Sequence, residues 1–338
     1  MSTPVIFDTD AGSDIDDLYA LALLLAHPAV SLQAVTTVAG DTQARARLVA
    51  KMLRLAGRPD VPVLAGIRLP EALARQGVVA SDYRQNLTHA DLVGPDDPEY
   101  DQQYDTDAVG FILRLLSQTR VPVTLIGTGP WTNIAEVLRL ADESRRAAIG
   151  SLALMGGEVH RMHAESNVKH DPEAAARVLS SGVPTFLATW SVSRELFFTM
   201  EEIDRLAGPE EASPFVRALR AGTRLWWDRA RPSKPGPVCY DVLPVFWAVG
   251  EREGIQCIRL DSLPVEQTGS YTRGMTVVSP WELMRASRTD QTAPACLTVT
   301  DSLEPATLKQ RFTDWVFGQT AGKQRRDEPA TADGADAG

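Results

Sequence analysis

Short apolar runs alternate with helix-like stretches along the first two thirds of the chain. Runs of strand length, bounded by glycine, proline or polar turns, lie at 5–7, 31–38, 61–65, 121–127, 152–155 and 184–189. A helix is predicted to begin at Asp16 and Asp17 and to end near His27 and Pro28. Further helical patterns follow at 43–55, 131–140 and 172–179, and another helix with paired tryptophans lies within 207–237. This alternation predicts an α/β protein with a largely parallel, Rossmann-like central sheet covered by helices on both faces.

Two regions depart from that rhythm. Residues 67–105 are polar and irregular, and the run at 95–101 predicts an exposed loop and a candidate lid. From about Thr320 the chain is rich in alanine, glycine and aspartate, so 320–338 is predicted to be a disordered polar tail. Since no composition break marks a second domain, we expect one α/β domain over 1–319.

The densest chemistry lies where the first apolar run meets the first helix. Five carboxylates occur within ten positions there, at Asp8, Asp10, Asp14, Asp16 and Asp17. A helix N-terminus stabilises a nearby carboxylate by only ~0.3–1 kcal/mol, which is too little for such a cluster. A hard divalent cation with oxygen ligands would compensate the charge, and open α/β sheets bind ligands at the carboxyl ends of their strands.

Simpler interpretations exist for these aspartates. Asp16 and Asp17 could serve only as caps of the helix they open. An EF-hand is excluded, because the glycine and the closing glutamate do not fall at the spacing that its loop needs. The triplet from Asp8 to Asp10 also resembles haloacid-dehalogenase phosphatases, in which the first aspartate is a nucleophile, although an Asp-Asp pair opening the next helix is not expected there.

Four later segments repeat the same form, a strand that ends in a polar or glycine turn. They lie at 36–41, 127–133, 155–175 and 238–244. Together and in this order they resemble the nucleoside hydrolase family, the inosine-uridine preferring N-ribohydrolases. The resemblance extends from the first strand to about residue 280, with Gly269 to Val278 as a further strand. Its most specific parts are the aspartate cluster and the run from Glu165 to Ala175.

The resemblance implies the nucleoside hydrolase fold and calcium-dependent hydrolysis of ribonucleosides to ribose and free base, as in purine and pyrimidine salvage. The implied calcium ligands are Asp10, Asp17, Asp241 and the carbonyl of Thr128, and Asp10 would also act as general base on a calcium-bound water. The implied substrate contacts are Asp16 and Asn167 for the ribose hydroxyls, Glu165 for the 5′-hydroxyl and Met155 for the sugar face. Asp8 would orient other ligands. A homo-oligomer, a dimer or tetramer, is implied as well.

Three positions differ from the family pattern. The loop between Asp10 and Asp16 is two residues longer than usual, so Asp14 is an alternative to Asp16. Asp41 stands where Gly-Asn is common, and its carboxylate near the sugar would accept hydrogen bonds but not donate them. Tyr240 replaces a histidine that can protonate the leaving base. With an ordinary pKa near 10, Tyr240 is a poorer general acid, which leaves base preference open.

Other side chains and functions stay open at this point. Trp226, Trp227 and His163 either contact the base or pack ordinarily, and His89 is a weaker substrate-facing candidate. A metal site could be suggested by the spacing of His160, His163 and His170, but these histidines have no cysteine partners. Zinc is therefore not expected. One rival function is a catalytically weak relative that binds a nucleoside or ribosyl ligand, motivated by Tyr240 and Asp41. The other is a hydrolase of an unusual N-riboside.

Composition narrows partners and location. The formal charge of −10 argues against a nucleic-acid surface, and no apolar run reaches the ~18 residues that indicate a membrane span. The three cysteines are far apart and odd in number, and the first strand begins within five residues of the start, which leaves no room for a signal peptide. We therefore expect a cytoplasmic protein whose partner is a small nucleoside.

Overall fold

A computed structural model of the chain describes residues 2–68, 70–75, 87–206, 212–230, 235–286 and 297–318. Its strands form one sheet in the order β3-β2-β1-β4-β5-β6-β8-β7. They are β1 (Thr3–Thr9), β2 (Val30–Thr37), β3 (Val63–Ala65), β4 (Val123–Gly127), β5 (Ile149–Met155), β6 (Thr185–Ala188), β7 (Ile255–Leu260) and β8 (Leu297–Leu303). Neighbours pair in parallel except β7, which runs antiparallel to β8. The predicted, largely parallel α/β sheet is confirmed.

Helices follow most strands. Those in the described ranges are α1 (Asp16–Ala26), α2 (Thr42–Leu55), α3 (Glu71–Arg75), α4 (Ala108–Gln118), α5 (Thr132–Leu140), α6 (Glu143–Ala147), α7 (Ser166–His170), α8 (Pro172–Leu179), α9 (Trp190–Ser193), α10 (Met200–Leu206), α11 (Pro214–Ala230), α12 (Val242–Ala248), α13 (Pro280–Arg285) and α14 (Pro305–Val316). A 3₁₀ turn spans Ala90–Leu92.

The side chains of β1 alternate between two hydrophobic layers, as the two-residue period of a strand requires. Val5 and Phe7 belong to one layer, which includes α1, α12 and α14. Ile6 belongs to the other, which includes α4, α5 and α8. Because both faces are covered, the strand is apolar along its length until it reaches Asp8.

The sheet reverses its build order beside β1. The chain adds β2 and β3 on one side of β1 and then β4, β5 and β6 on the other. Thr9 is paired with Thr37, and Asp8 with Gly127, so the ends of β1, β2 and β4 lie side by side. This is the position at which open α/β sheets form a ligand crevice, and the aspartate cluster lies there, at the end of β1.

One predicted strand is wrong. The segment from Gly269 to Val278 consists mainly of turns, with a single isolated bridge between Val265 and Thr276. Glu266 accepts hydrogen bonds from the backbone N–H groups of Thr268 and Gly269, which curls the chain. Gly274 then takes a φ of +86°, a left-handed conformation that ends any extended run.

The acidic run at 95–101 is bound to α2 instead of projecting freely. Asp97 pairs with Lys51 at 2.6 Å, and Glu99 pairs with Arg54 at 2.7 Å. Glu99 is buried although its neighbours in the run are largely exposed. Within the irregular region 67–105, residues 69 and 76–86 lie outside the described part of the chain, as does the tail predicted for 320–338.

Candidate active site

A cavity of about 560 Å³ lies at the carboxyl ends of the central strands. It brings together residues that are widely separated along the chain. The predicted site residues that line it are Asp10, Asp16, Asp17, Thr128, Met155, Glu165, Asn167, Tyr240 and Asp241, and Asp14 lines it as well. Four separate segments of the chain, at 10–17, 128, 155–167 and 240–241, therefore converge on one space.

The most acidic part of this cavity is a trio formed by Asp16, Asp17 and Asp241. Each offers a carboxylate oxygen within 4.8 Å of the others, and all three are buried. Asp16 and Asp17 are the first residues of α1, and Asp241 is the residue before α12. No ion pair in the described ranges joins the trio to a lysine or arginine. Burial and mutual repulsion raise the pKa of Asp16 and of Asp241 well above the ordinary value.

Two threonines orient Asp17. Its Oδ1 accepts hydrogen bonds from the Thr9 hydroxyl and from the Thr128 hydroxyl, the latter at 2.9 Å. Burial, together with the nearby charge of Asp10, raises the pKa of Asp17 to about 8 despite those bonds. The Thr128 carbonyl, a predicted calcium ligand, accepts a 2.7 Å hydrogen bond from the Asn167 amide. A carbonyl oxygen has a second lone pair, so this bond still permits a cation.

Asp10 lies at the end of β1, against the loop that follows β4. A Cβ atom built on Gly129 would lie 3.0 Å from the Asp10 Cβ and 2.7 Å from Val38, so this approach requires glycine. Burial raises the pKa of Asp10, while the charges of Arg45 and His170 oppose the rise. The geometric trio contains Asp16, whereas the predicted ion ligands included Asp10 in its place; Asp10 lines the same cavity.

Glu165 and Asn167 are fixed by local structure. The Glu165 carboxylate caps α7, accepting hydrogen bonds from the backbone N–H groups of Asn167 and Val168, and it also accepts one from Gly157 at 3.0 Å. Burial nevertheless raises its pKa to about 7. The Asn167 amide spans the Thr128 and Met155 carbonyls, at 2.7 and 3.2 Å. The next helix starts at Asp171, as the Asp-Pro pair predicts.

Asp8 supports the site from behind and does not line the cavity. Its Oδ1 accepts hydrogen bonds from the Thr36 hydroxyl at 2.6 Å and from the Asn133 amide at 2.8 Å. The same amide donates to the Thr37 carbonyl at 3.1 Å, and its oxygen accepts from the Ile67 N–H at 3.0 Å. Asn133 therefore joins the ends of β1 and β2 to the loop after β3.

The aspartate at the second strand end, Asp41, is a helix cap in this structure. Asp41 accepts a hydrogen bond from the Ala44 N–H at 3.1 Å and caps α2. Among the described residues that line the cavity, Asp41 is absent. The adjacent turn explains this: Ala39 and Gly40 both have positive φ values, of 62° and 68°, and lead the chain into the helix.

Aromatic side chains line part of the cavity, and no histidine is among its described lining residues. Tyr240 lines it, but burial and the charges of Asp16 and Asp14 raise the pKa of its hydroxyl still further. Trp226 lines the cavity, whereas Trp227 packs against the core. His163 packs against Trp190 in a tilted arrangement, with ring centroids 4.4 Å apart. His89 is buried, which lowers its pKa to about 3 and keeps it neutral.

Among the cavity residues that were not singled out from the sequence are Trp190, Arg229 and Thr88. Trp190 directly follows β6, so the strand-end pattern used for the other segments could have found it. Arg229 lies one helical turn after Trp226 and donates to the Thr88 carbonyl at 2.9 Å and to Asp91 at 2.6 Å. Thr88 belongs to an irregular segment without any sequence signal. No histidine joins a candidate metal-binding group within the described ranges.

None of the helices in the described ranges combines the length and apolarity needed to traverse a bilayer.

Comparison with known proteins gives a consistent result. The model of the family described as inosine-uridine preferring nucleoside hydrolase matches residues 5–308. The pyrimidine-specific ribonucleoside hydrolase RihA of Klebsiella pneumoniae is 32% identical over 299 residues, covering 84% of this chain and 90% of that protein. RihA of Photobacterium profundum is also 32% identical, over 292 residues, covering 84% and 91%.

Solved structures share the fold. A plant nucleoside hydrolase, PpNRh1, superposes with a TM-score of 0.76 at 21% identity, covering 94% of this chain and 99% of that one. The purine-preferring ribonucleoside hydrolase from Gardnerella vaginalis has a TM-score of 0.74 at 23% identity, with the same coverage.

Proposed function

This chain belongs to the inosine-uridine preferring nucleoside hydrolase family and is an N-glycosyl hydrolase; from that premise we propose that it cleaves ribonucleosides to ribose and base with a bound calcium ion. The observation that carries the proposal is the convergence of the strand-end carboxylates, Thr128 and Asn167 on one cavity. A phosphatase of the haloacid-dehalogenase type would leave Glu165 and Asn167 without a role.

The donor set of the cavity fits a hard divalent cation. Asp16, Asp17 and Asp241 supply buried carboxylate oxygens, and Asp10 and the Thr128 carbonyl offer oxygens in the same cavity. An all-oxygen set of this size suits calcium, which takes 6–8 oxygen ligands, better than magnesium, which keeps several waters. When bound, calcium would supply positive charge that acidifies a water and draws in the ribose hydroxyls.

The side chains then divide the work of hydrolysis. Asp10, ionised beside a cation, accepts a proton from the attacking water as general base. Asp16 and Asn167 hold the ribose hydroxyls, and Glu165 faces the 5′-hydroxyl, which fixes the sugar relative to the water. Loss of the base leaves oxocarbenium character on the ribose, and the surrounding carboxylates stabilise that positive charge.

Tyr240, which stands in the place of the family's histidine, is not a strong acid for the departing base. The raised pKa of Tyr240 makes its hydroxyl a hydrogen-bond donor to the base and a poor source of a full proton near neutral pH. The RihA relatives are named as pyrimidine-specific, and one protein of similar solved structure is named as purine-preferring. A substrate panel must therefore include both kinds of base.

The test is release of free ribose from uridine, cytidine, inosine and guanosine, with chelator and then with calcium or magnesium restored. We expect release that disappears with chelator and returns with calcium more fully than with magnesium. Tight calcium binding without release from any of the four would contradict the proposal. Activity on another N-riboside, such as nicotinamide riboside, would then favour the unusual-riboside alternative, and its absence the binding-protein alternative.

Location and assembly form part of the same proposal. We propose a cytoplasmic enzyme, because Cys239 and Cys257 are free, buried thiols, as a reducing compartment permits. We also propose a homo-oligomer, on the family resemblance. Light scattering coupled to size-exclusion chromatography measures the assembly directly, and a monomer at micromolar concentration would contradict it.

A further inference from the structure

A buried arginine from α2 reaches into the loop that joins β1 to α1. The Arg45 side chain is part of a residue only 3% exposed. Its Nη1 donates to the carbonyls of Asp10 and of Ala11, the latter at 3.0 Å. Its Nη2 donates to the Ser13 hydroxyl at 2.9 Å, and its Nε donates to the Ala39 carbonyl at 2.7 Å. One guanidinium thus joins the loops after β1 and β2.

The same loop is held from its other side by Thr88. The Thr88 N–H donates to the Gly12 carbonyl at 2.8 Å, and its hydroxyl donates to the Ser13 carbonyl at 2.7 Å. Four successive carbonyls, from Asp10 to Ser13, are therefore all occupied: the first two by Arg45 and the next two by Thr88. The loop has no regular secondary structure of its own, so these two residues define its path.

The charge of Arg45 is applied to backbone and hydroxyl oxygens. No ion pair involving it occurs within the described ranges, although Asp10, Asp17 and Asp41 interact with it electrostatically and oppose the effect of burial. A buried cation is costly unless its donors are satisfied. Its retention here, against the back of an acidic cavity, points to a role in the arrangement of that cavity.

We propose that Arg45 is a positioning residue for hydrolysis: its planar fork holds the loop between Asp10 and Asp16, and so sets the relative placement of the carboxylates at both ends of that loop. This inference rests on the proposed function for its kinetic consequence. Its consequence for ion binding is independent of turnover, because Asp10, Asp16 and Asp17 are positioned by the same loop.

Lysine provides the discriminating substitution. It keeps the positive charge but replaces a rigid fork with one flexible ammonium group, which cannot span the Asp10, Ala11 and Ala39 carbonyls together. The matched control is Arg47, two residues along the same helix. Its guanidinium donates a hydrogen bond to the exposed Gln102 carbonyl at 3.4 Å. Arg45→Lys and Arg47→Lys therefore differ in the site they affect and not in the chemistry of the change.

The experiment measures three quantities for the wild type and both variants: the melting temperature, the calcium Kd by titration calorimetry, and kcat and KM on the best ribonucleoside at saturating calcium. For Arg45→Lys we expect a calcium Kd weakened about tenfold and a kcat lowered about 10–100-fold, as for loss of a residue that orients metal ligands. We expect KM to change much less, and Arg47→Lys to match the wild type throughout.

The outcomes separate the two proposals. Wild-type Kd and kcat in a folded Arg45→Lys variant would overturn the positioning role, even if its melting temperature falls. If the wild type releases no ribose, the proposed function fails, and the calcium Kd alone decides the role of Arg45. If Arg45→Lys does not fold, Ser13→Ala removes one partner of the fork; wild-type values there would leave Arg45 with a purely structural role and overturn the proposal.

Discussion

Carboxyl groups that line this cavity or support it from behind lie where their charged forms are disfavoured. Burial raises the pKa of Asp8 to about 7, of Glu165 to about 7 and, with help from Asp10, of Asp17 to about 8. Each also accepts two or more hydrogen bonds, which favour the ionised form and limit the rise. A bound cation would offset the charge of these carboxylates, and no ion pair within the described ranges joins them to a lysine or arginine.

Asp10 is the residue on which the proposed chemistry depends most. Replacing it in Asp10→Ala removes the general base, and we expect kcat to fall about 10²–10⁴-fold. The melting temperature in the presence of chelator should stay the same or rise, because the variant relieves repulsion within the acidic cavity. Steady-state kinetics and thermal melts check both parts, and substantial remaining turnover would disprove the assignment of Asp10 as base.

The longer loop leaves Asp14 and Asp16 as rivals for the ribose contact. Asp16 belongs to the buried trio, whereas Asp14 is exposed and accepts a hydrogen bond from the Ile15 N–H at 2.9 Å. We expect Asp16→Asn to weaken calcium binding and to reduce kcat/KM by at least about 100-fold. Asp14→Asn should cost less than about tenfold. The reverse order in paired kinetic assays would transfer the role to Asp14.

At the scale of elements, the strand ends are joined by Asn133 at the start of α5. Asn133→Ala removes hydrogen bonds to Asp8, Thr37 and Ile67 and leaves buried partners unsatisfied. We expect the free energy of unfolding to fall by about 2–4 kcal/mol. Urea denaturation measures the change.

A control for that loss lies on the same helix. Glu136 pairs with Arg139 on a partly exposed face, so Glu136→Ala should change the free energy of unfolding by about 0–1 kcal/mol. Equal losses in the two variants would show that the Asn133 bonds contribute no more than an ordinary surface contact.

The elements that were predicted correctly are those whose signal is local. β1 and α1 were recognisable because an apolar run meets a polar turn and a helix start, and the same pattern recurs at β2, β4 and β5. The edge pair of β7 and β8 was missed, since β7 mixes buried residues with the exposed Gln256 and pairs antiparallel with β8, outside the parallel βα rhythm. The strand expected at 269–278 was wrong because side-chain capping by Glu266 outweighs its β-branched composition.

The site residues show the same difference between local signals, which the sequence contains, and long-range contacts, which it does not. Residues at strand ends converge because parallel strands place their carboxyl ends on one edge, which the alternation alone predicts. The position of Asp41 depends on two neighbouring residues with positive φ, and the sequence pattern did not predict that it caps α2. Arg45 and Thr88 act through contacts between distant segments, and no spacing in the sequence encodes such a contact.

For the whole molecule, these titrations predict how stability depends on pH. A carboxyl group whose pKa is higher in the folded than in the unfolded state binds its proton more tightly when folded, so its contribution is full below the unfolded pKa and lost as pH rises. With chelator present, the melting temperature should therefore fall as pH rises from about 5 to about 8. Calcium favours the ionised carboxylates and should reduce or abolish that fall.

Calorimetric scans at several pH values, with chelator and with calcium, measure this behaviour. Calcium at 100 times its Kd should add about 2.7 kcal/mol to the free energy of unfolding. Asp17→Asn should flatten part of the slope seen with chelator, whereas Asp60→Asn, on an exposed residue paired with Arg58, should leave it unchanged. A melting temperature that rises with pH in chelator would rule out this account.

The carboxylate trio also has a consequence for biosynthesis. Asp16 and Asp17 emerge from the ribosome early, whereas Asp241 follows only after the first six strands have been translated. Until then a nascent chain carries an incomplete, mutually repelling set of aspartates and cannot capture an ion tightly. A divalent ion held by this trio would therefore bind to a nearly finished molecule, after translation has passed Asp241, and activation would depend on the supply of that ion to the completed fold.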